Sequence, residues 1–302
     1  MTVLVTGASG VLGHAIVRRL VERDEVRATV RDPVAAEALR SLGAKVAVRP
    51  VTEPDELIEI LPRVHTLVHL VGGVNQPTDE EILAANHGST VAAVAAAREA
   101  GVRRVVLLSV PGASIEATHP YVRAKGLAEE VVVQCGLEHA VLRSSHAYGL
   151  GGLWFAATMA AVADGFAVGD GRQRIAPILA DDVAEVVAAI DDRRDPVAGV
   201  WDLGGPDELT ADEVAAIAGE GAEPAEHLDP RRAAERLAEL LAIPVWVRAT
   251  ELFAGDAVAV APETAATDAA TEFGVRTTPF DEGLHLVARG AQEAAARVRR
   301  DA

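Results

Sequence analysis

The chain of 302 residues contains very little cysteine, lysine or aromatic side chain. Its single cysteine, Cys135, excludes an internal disulfide and any metal cluster built on several cysteines, which favours a reducing, cytoplasmic compartment. Aromatic residues make up 3% of the chain, and only two of its 28 basic residues, Lys45 and Lys125, are lysines. Because arginine occupies the other basic positions, each lysine deserves scrutiny as a place where a compact ammonium group is needed.

Long apolar runs and basic clusters are also missing. No uninterrupted apolar stretch approaches the roughly 20 residues that span a bilayer, and the opening MTVLVTG lacks the basic segment of a secretion signal. The formal charge is −17, from 28 basic and 45 acidic residues, which argues against nucleic acid and anionic membranes as partners. The nine histidines show no metal-ligand spacing. We therefore expect a soluble protein with a small-molecule substrate and no metal.

Short apolar runs alternate with helical patterns along the first half of the chain. The first run, Val3 to Thr6, is followed by the glycine-rich GASGVLG and then by an amphipathic helix. This alternation predicts a Rossmann-type α/β fold, a doubly wound parallel sheet with helices on both faces. We expect residues 1–150 to form a dinucleotide-binding domain and residues 151–302 a smaller substrate-binding region, whose elements near 175–205 return to the main sheet.

The GASGVLG segment places Gly7, Gly10 and Gly13 between the first strand and the first helix. Glycines at these positions permit a tight turn, let backbone amides approach a pyrophosphate, and let the helix pack closely on the sheet. The motif and its position after the first strand predict dinucleotide binding.

The end of the second strand discriminates between the two dinucleotides. In RATVRDP, Val30 stands where an acidic residue would hold the ribose hydroxyls of NAD, and Arg31 follows, where an arginine would accept the extra phosphate of NADP. The sequence therefore favours NADP(H). In the alternative, Asp32 takes the role of the acid and the cofactor is NAD(H).

One of the two tyrosines, Tyr121, is followed four residues later by Lys125. On a helix this spacing puts the phenol and the ammonium group on one face, one turn apart. An arginine would not replace this lysine, because its charge is delocalised over a fixed fork. Tyr121 and Lys125 are therefore the first catalytic candidates.

Together these features resemble the short-chain dehydrogenase/reductase superfamily, in particular its extended and atypical branches of NAD-dependent epimerase/dehydratase-like and NmrA-like proteins. The resemblance covers about the first 220 residues and rests on TGASGVLG, HLVGG, NHGST, LLSV, YVRAK, LRSSHAYG and PILADDVAE. It implies that Tyr121 is the general acid/base for a substrate oxygen while hydride passes to or from the nicotinamide. Lys125 would lower the phenol pKa towards neutral pH and bond the nicotinamide ribose.

The resemblance implies further site residues. The catalytic residues would be Ser109, Tyr121, Lys125 and Asn86. Ser109 would hold the substrate oxygen, with Ser114 in reserve, and Asn86 would order the active-site helix. The cofactor would contact Gly7, Ser9, Gly10, Val11, Leu12, Gly13, Arg31, Leu70, Val71, Gly72, Tyr121, Lys125, Ser144 and Ser145. Two departures from the family pattern stand out: Ser144 replaces a proline, and Arg49 with Pro50 replaces the Gly-Asp that contacts adenine in many relatives.

The candidates for substrate contact are His146, Trp154 and Phe155. Enzymes of this family that act on nucleotide-linked sugars need cations for a diphosphate, and only Arg172 and Arg174 are candidates here. We therefore expect a small, relatively apolar carbonyl or alcohol substrate and favour an NADP(H)-dependent oxidoreductase. Two alternatives stay open: an epimerase or dehydratase with transiently reduced NAD, and a non-catalytic, NADP-binding NmrA-like regulator. The expected assembly is a monomer or a homodimer.

Overall fold

A parallel sheet of seven strands lies at the centre of the structure, a computed structural model that describes residues 1–254 and 268–301. Part of the predicted substrate region, residues 255–267 and 302, lies outside the described residues. The strands are β1 (Thr2–Thr6), β2 (Glu25–Val30), β3 (Lys45–Val48), β4 (Thr66–His69), β5 (Arg104–Ser109), β6 (Glu138–Ser144), β7 (Ala147–Tyr148), β8 (Phe166–Val168), β9 (Arg174–Ile175), β10 (Ile178–Leu179), β11 (Ala198–Leu203), β12 (Leu209–Thr210) and β13 (Glu226–Leu228). The order in the main sheet is β11-β6-β5-β4-β1-β2-β3, and the other strands form three small pairs.

Helices cover both faces of this sheet. They are α1 (Val11–Leu20), α2 (Pro33–Ser41), α3 (Asp55–Ile58), α4 (Asp79–Leu83), α5 (Ser89–Glu99), α6 (Pro120–Val133), α7 (Leu153–Asp164), α8 (Ala180–Asp192), α9 (Ala211–Ala218), α10 (Pro230–Leu241), α11 (Val247–Ala254), α12 (Ala269–Phe273) and α13 (Phe280–Asp301). A π-helical turn, Ala84–Gly88, joins α4 to α5. Within the described ranges, no helix has the length and apolar character needed to cross a bilayer.

The strand sequences explain why both faces are covered. Successive side chains of a strand point to opposite faces, and in β1 Val3 and Val5 pack into one core with α1 and α8, whereas Leu4 packs into the other core with α5 and α6. All three side chains are fully buried. Strands buried on both sides are typical of doubly wound α/β proteins, and the predicted Rossmann-type fold class is confirmed.

The second half of the chain contributes both to the sheet and to a separate cluster. Strand β11 pairs in parallel with β6 at the sheet edge. A third apolar core combines α7, α10 and α11 with Val74 and Val110, which follow the carboxyl ends of β4 and β5. This edge of an open parallel sheet is where ligands bind in such folds, so the third core forms one wall of the candidate site.

Candidate active site

The turn between β1 and α1 brings the backbone very close to its neighbours. Gly7 has a φ of +71°, and a Cβ at this position would lie 2.8 Å from the Val71 nitrogen. A Cβ at Gly13 would lie 2.5 Å from the Ala8 Cα. Helix α1 begins after Gly10 without a side-chain cap and without an acidic residue in its first turn. Its free N–H groups and the positive end of its dipole are therefore available to an anion such as a pyrophosphate.

Two cavities meet at this turn. The first, named the main cleft, measures about 440 Å³, and the second, named the arginine cavity, about 190 Å³. The main cleft is lined by Gly7, Gly10, Val11, Leu12, Gly13, Leu70, Gly72, Gly73, Val74, Asn75, Gln76, Leu108, Ser109, Val110, Tyr121, Lys125, Ser144, Ser145, His146, Ala147, Gly151, Gly152, Leu153, Trp154, Leu252 and Phe253. The arginine cavity is lined by Gly7, Ser9, Gly10, Thr29, Val30, Arg31, Arg49, Val51, Leu70, Val71, Gly72, Gln76 and Ala85. Every residue that the sequence predicted for the cofactor lies on one of these linings.

Asn86 does not line either cavity but holds the loop that does. Its side chain is buried, accepts a hydrogen bond from the Gly73 N–H at 3.1 Å, and donates to the carbonyls of Gly73 and Ile82 at 3.1 and 2.8 Å. A Cβ on Gly72 would collide with the Asn86 amide oxygen. The amide thus fixes the loop after β4, and we assign Asn86 a positioning role in place of a catalytic one.

Helix α6 places Tyr121 and Lys125 side by side in the main cleft. The Lys125 ammonium lies 5.7 Å from the centre of the Tyr121 ring and donates a hydrogen bond of 2.9 Å to the Leu108 carbonyl. At the start of the helix, the His119 ring accepts a hydrogen bond from the Tyr121 N–H at 3.3 Å. The carbonyl at the end of β5 therefore anchors the lysine, and the histidine cap anchors the first turn.

Burial sets the protonation states of these two groups. Loss of solvation raises the pKa of Tyr121 to about 12 and lowers the pKa of Lys125 to about 8. For Tyr121, this direction is opposite to the one that the resemblance implies, because the loss of solvation outweighs the nearby ammonium of Lys125. At neutral pH, Tyr121 is a neutral phenol and therefore a proton donor.

The Ser109 hydroxyl is hydrogen-bonded to another side chain and is not available to a substrate oxygen. It donates a hydrogen bond to the Glu129 carboxylate, which also accepts from Arg143 at 2.7 Å. Since a hydroxyl has one hydrogen to donate, Ser109 in this arrangement has none for a substrate. Ser114, the reserve candidate, is absent from the main cleft lining and accepts from the Glu116 N–H at 3.2 Å.

The predicted substrate residues lie in two different places, some on the main cleft and one in an apolar cluster. Trp154 lines the main cleft with its ring 5.0 Å from that of His146, whose pKa burial lowers to about 4, so that its imidazole is neutral. Phe155 does not line the cleft. Its ring packs 6.1 Å from that of Tyr148 in a separate apolar cluster, because consecutive helix residues point in directions about 100° apart. Phe155 is therefore better explained as a packing residue.

Several lining residues were not predicted from the sequence. Leu252 and Phe253 come from α11, more than a hundred residues after Tyr121, and no sequence signal links them to the cleft. Arg49 lines the arginine cavity together with Arg31. The sequence feature that could have indicated Arg49 is the replacement of the Gly-Asp of many relatives by Arg49 and Pro50. In the described ranges, no group of three or more His, Cys, Asp or Glu side chains is arranged to hold a metal ion.

Two curated relatives share part of this chain. A 4-hydroxy-2-methyl-3-oxo-4-farnesyl-3,4-dihydroquinoline-1-oxide ketoreductase from Stigmatella aurantiaca is 31% identical over 49% of the chain and 51% of its own length. The NADH dehydrogenase [ubiquinone] 1 alpha subcomplex subunit 9 from Arabidopsis thaliana is 26% identical over 70% of the chain and 56% of its own length. The chain thus spans about half the length of these relatives.

A solved structure and a family model agree with the fold. The triphenylmethane reductase of Citrobacter sp., solved with NADP(H), superposes with a TM-score of 0.73 at 20% identity, over 94% of this chain and 99% of its own. A sequence model for a family described as NAD(P)H-binding matches residues 7–193, more than half of the chain. The protein therefore belongs to this NAD(P)H-binding family.

Proposed function

We propose that the protein is an NADP(H)-dependent reductase of a small, relatively apolar ketone or aldehyde. The observation that carries the proposal is the half-buried, neutral Tyr121 phenol beside Lys125 in a cleft continuous with the dinucleotide turn. A phenol with a pKa of about 12 is a poor base at neutral pH but a competent acid towards the alkoxide that carbonyl reduction generates. The geometry therefore favours reduction over oxidation.

The proton transfer follows from the positions of these side chains. When bound, the reduced nicotinamide supplies a hydride to the carbonyl carbon. Tyr121 gives its proton to the carbonyl oxygen, which becomes the alcohol, and is left as a phenolate that is reprotonated from solvent. The Lys125 ammonium, held by the Leu108 carbonyl, stabilises that phenolate. The neutral His146 adds no charge to the cleft.

The cleft lining supports an apolar substrate. Among the described residues, Lys125 is the only lysine or arginine on this lining, and none of the lining residues is acidic. The two arginines considered for a substrate diphosphate, Arg172 and Arg174, are exposed and lie outside the lining, and Arg174 pairs with Glu208 at 3.1 Å. A nucleotide-linked sugar would bury its diphosphate beside a single cation. These features argue against the epimerase or dehydratase alternative.

The arginine cavity supports the preference for NADP(H). Arg31 is exposed there and has no hydrogen bond or ion pair among the described residues, whereas Arg49 is bonded to the Glu56 carbonyl at 2.8 Å. The Asp32 carboxylate caps α2 by accepting from the Val34 N–H at 2.9 Å. Arg31 is therefore free to meet the extra phosphate, and Asp32 is occupied as a helix cap.

One observation favours a second candidate, a dinucleotide-binding protein without turnover. The Ser109 hydroxyl is bonded to Glu129, which leaves the expected Ser, Tyr and Lys set without its second donor to the substrate oxygen. This second candidate predicts tight dinucleotide binding with no consumption of NADPH.

The test is NADPH oxidation with a panel of small ketones and aldehydes, measured for the wild type, Tyr121→Phe and Tyr148→Phe. Tyr121→Phe should lower kcat by about 10²- to 10⁴-fold and leave the Kd for NADPH unchanged. Tyr148→Phe is the matched control, since it removes the only other tyrosine hydroxyl, which is buried outside the cleft. Full activity of Tyr121→Phe, or bound NAD in the purified protein with no net NADPH consumption, would overturn the proposal.

A further inference from the structure

A third cavity lies directly behind the substrate end of the main cleft. This side cavity measures about 50 Å³ and is lined mainly by small and apolar side chains, among them Ala157 and Ala161 of α7, Ile175 and Val214. A water needs about 10–15 Å³ on this scale, so the space holds on the order of three or four non-hydrogen atoms. The side cavity is therefore large enough for a short chain of atoms and too small for a ring system.

Trp154 and Phe253 separate the side cavity from the main cleft. Both residues line both cavities. Trp154 is half-buried, and on the cleft side it packs against His146 with 5.0 Å between ring centres. A molecule with its carbonyl group at Tyr121 reaches the side cavity by passing between these two aromatic side chains.

One polar side chain on this apolar lining has an unused acceptor. Gln173 is 6% exposed, and its amide nitrogen donates to the Phe253 carbonyl. That bond fixes the orientation of the amide, because only the nitrogen can donate to a carbonyl. The amide oxygen is buried and has no hydrogen-bond partner among the described residues. A buried acceptor without a partner is destabilising, and a ligand with a donor group would satisfy it.

We infer that the side cavity is a second substrate subsite, which takes a short aliphatic arm ending in a hydroxyl or N–H group. The apolar lining accepts the methylene groups, and the terminal donor bonds the Gln173 oxygen. The inference rests on the proposed reductase function and narrows its substrate to carbonyl compounds that carry such an arm. An arm ending in a methyl group would fill the same space and leave the acceptor unpaired, and sites built to bond a donor discriminate strongly against analogues that lack it.

The experiment compares kcat/KM for acetone, for ω-hydroxy methyl ketones of increasing length, and for the methyl ketones of equal length that end in CH₃. At the optimal length, the hydroxyl-ended ketone should exceed its methyl-ended partner by about tenfold, the ratio expected for one satisfied hydrogen bond. Gln173→Met should abolish this ratio because it keeps the length of the side chain and removes the acceptor. Equal rates for the two series at every length would overturn the inference.

A matched pair of variants on α7 tests the location. Ala161→Leu fills the side cavity, whereas Ala163→Leu is the same change on the exposed face of the same helix. Ala161→Leu should remove the gain in kcat/KM from the hydroxyl-ended arm and change acetone reduction by less than about twofold. Ala163→Leu should behave as wild type. Equal behaviour of the two variants would overturn the assignment of the arm to this cavity.

A binding measurement separates this inference from the proposed function. The hydroxyl-ended compounds should raise the Tm of the NADPH-bound wild type but not that of Ala161→Leu. If they do so while no ketone is reduced, the subsite stands and the reductase proposal fails. If acetone is reduced and neither the rates nor the Tm respond to the arm, the reductase proposal stands and the subsite is refuted.

Discussion

The two ends of the ligand groove are built in different ways. At the dinucleotide end, the walls are largely backbone: the turn at Gly7, the close approach at Gly13 and the uncapped start of α1. At the substrate end, the walls are side chains brought together from distant segments, such as Tyr121, Trp154 and Phe253. The difference explains why the first end has a continuous glycine motif in the sequence, whereas at the second end only the pair Tyr121 and Lys125 has one.

This contrast also predicts how each end responds to substitution. A backbone wall has no rotamers with which to accommodate an added atom, whereas a side-chain wall can be reshaped one residue at a time. Substitutions at the dinucleotide end should therefore impair folding and cofactor binding together. Substitutions at the substrate end should change specificity and leave the fold intact.

The largest effect is expected for Gly13→Ala, which introduces an atom into the backbone wall. The added Cβ would lie 2.5 to 2.8 Å from backbone atoms of Ala8, none of which can move independently of the turn. The free energy of unfolding should fall by about 2–3 kcal/mol, and dinucleotide affinity should fall with it. Chemical denaturation and NADPH titration measure the two changes.

Gly88→Ala is the control for that substitution. Gly88 has helical dihedrals, φ −58° and ψ −46°, and a Cβ there meets no atom within 4 Å. Alanine should be neutral or stabilising by up to about 1 kcal/mol at such a position. A Gly13→Ala protein as stable as Gly88→Ala would show that the dinucleotide end tolerates added atoms as well as the substrate end does.

An intermediate effect is expected at Arg31, a side chain on the lining of the dinucleotide end. Arg31→Ala should weaken NADPH binding by about tenfold to a hundredfold, the equivalent of a charged hydrogen bond of about 1.5–3 kcal/mol, and leave NADH binding unchanged. Fluorescence titration with both cofactors measures the preference directly. Equal losses for NADPH and NADH would mean that Arg31 does not contact the extra phosphate.

Asp32→Asn tests whether the Asp32 carboxylate contributes to cofactor preference. An asparagine caps a helix as well as an aspartate does, so the bond to the Val34 N–H and the start of α2 should be retained. Neither cofactor should bind differently. Selective loss of NADH affinity in this variant would assign Asp32 to the ribose hydroxyls and reverse the cofactor preference proposed above.

The smallest change in folding stability is expected for Lys125→Met, at the junction of the two ends. Burial lowers the pKa of Lys125 from 10.5 to about 8, which corresponds to about 3 kcal/mol at 1.4 kcal/mol per unit of pKa. Loss of the bond to the Leu108 carbonyl offsets part of this. The variant should lose reductase activity and yet be more stable than wild type by about 1–2 kcal/mol at pH 7.

The pH dependence of that gain follows from the direction of the pKa change. Below about pH 8, both the folded and the unfolded wild type keep the ammonium protonated, so the cost of burial is present in full. Between about 8 and 10.5 the unfolded chain binds more protons than the folded one, and wild-type stability rises with pH. The advantage of Lys125→Met should shrink over this range. Lys45→Met, at the exposed lysine paired with Glu25, should stay within about 0.5 kcal/mol of wild type.

The sequence alone determined the features that depend on local chemistry. Glycines are required where a turn has positive φ or a Cβ would collide, so the dinucleotide turn could be recognised in GASGVLG. Apolar runs at the lengths of strands predicted the doubly covered sheet. The four-residue spacing of Tyr121 and Lys125 placed both on one helix face, where the structure has them.

The surroundings of those residues depend on tertiary packing. In the packed structure, the Ser109 hydroxyl donates a hydrogen bond to Glu129, and the Phe155 ring lies in an apolar cluster. The loss of solvation raises the pKa of Tyr121 to about 12. Packing also brings Phe253 and Gln173 together behind Trp154 to form the side cavity. Solvation and hydrogen-bond partners depend on segments far apart in the chain, and their meeting is fixed by the packing of the whole core, to which no local pattern in the sequence corresponds.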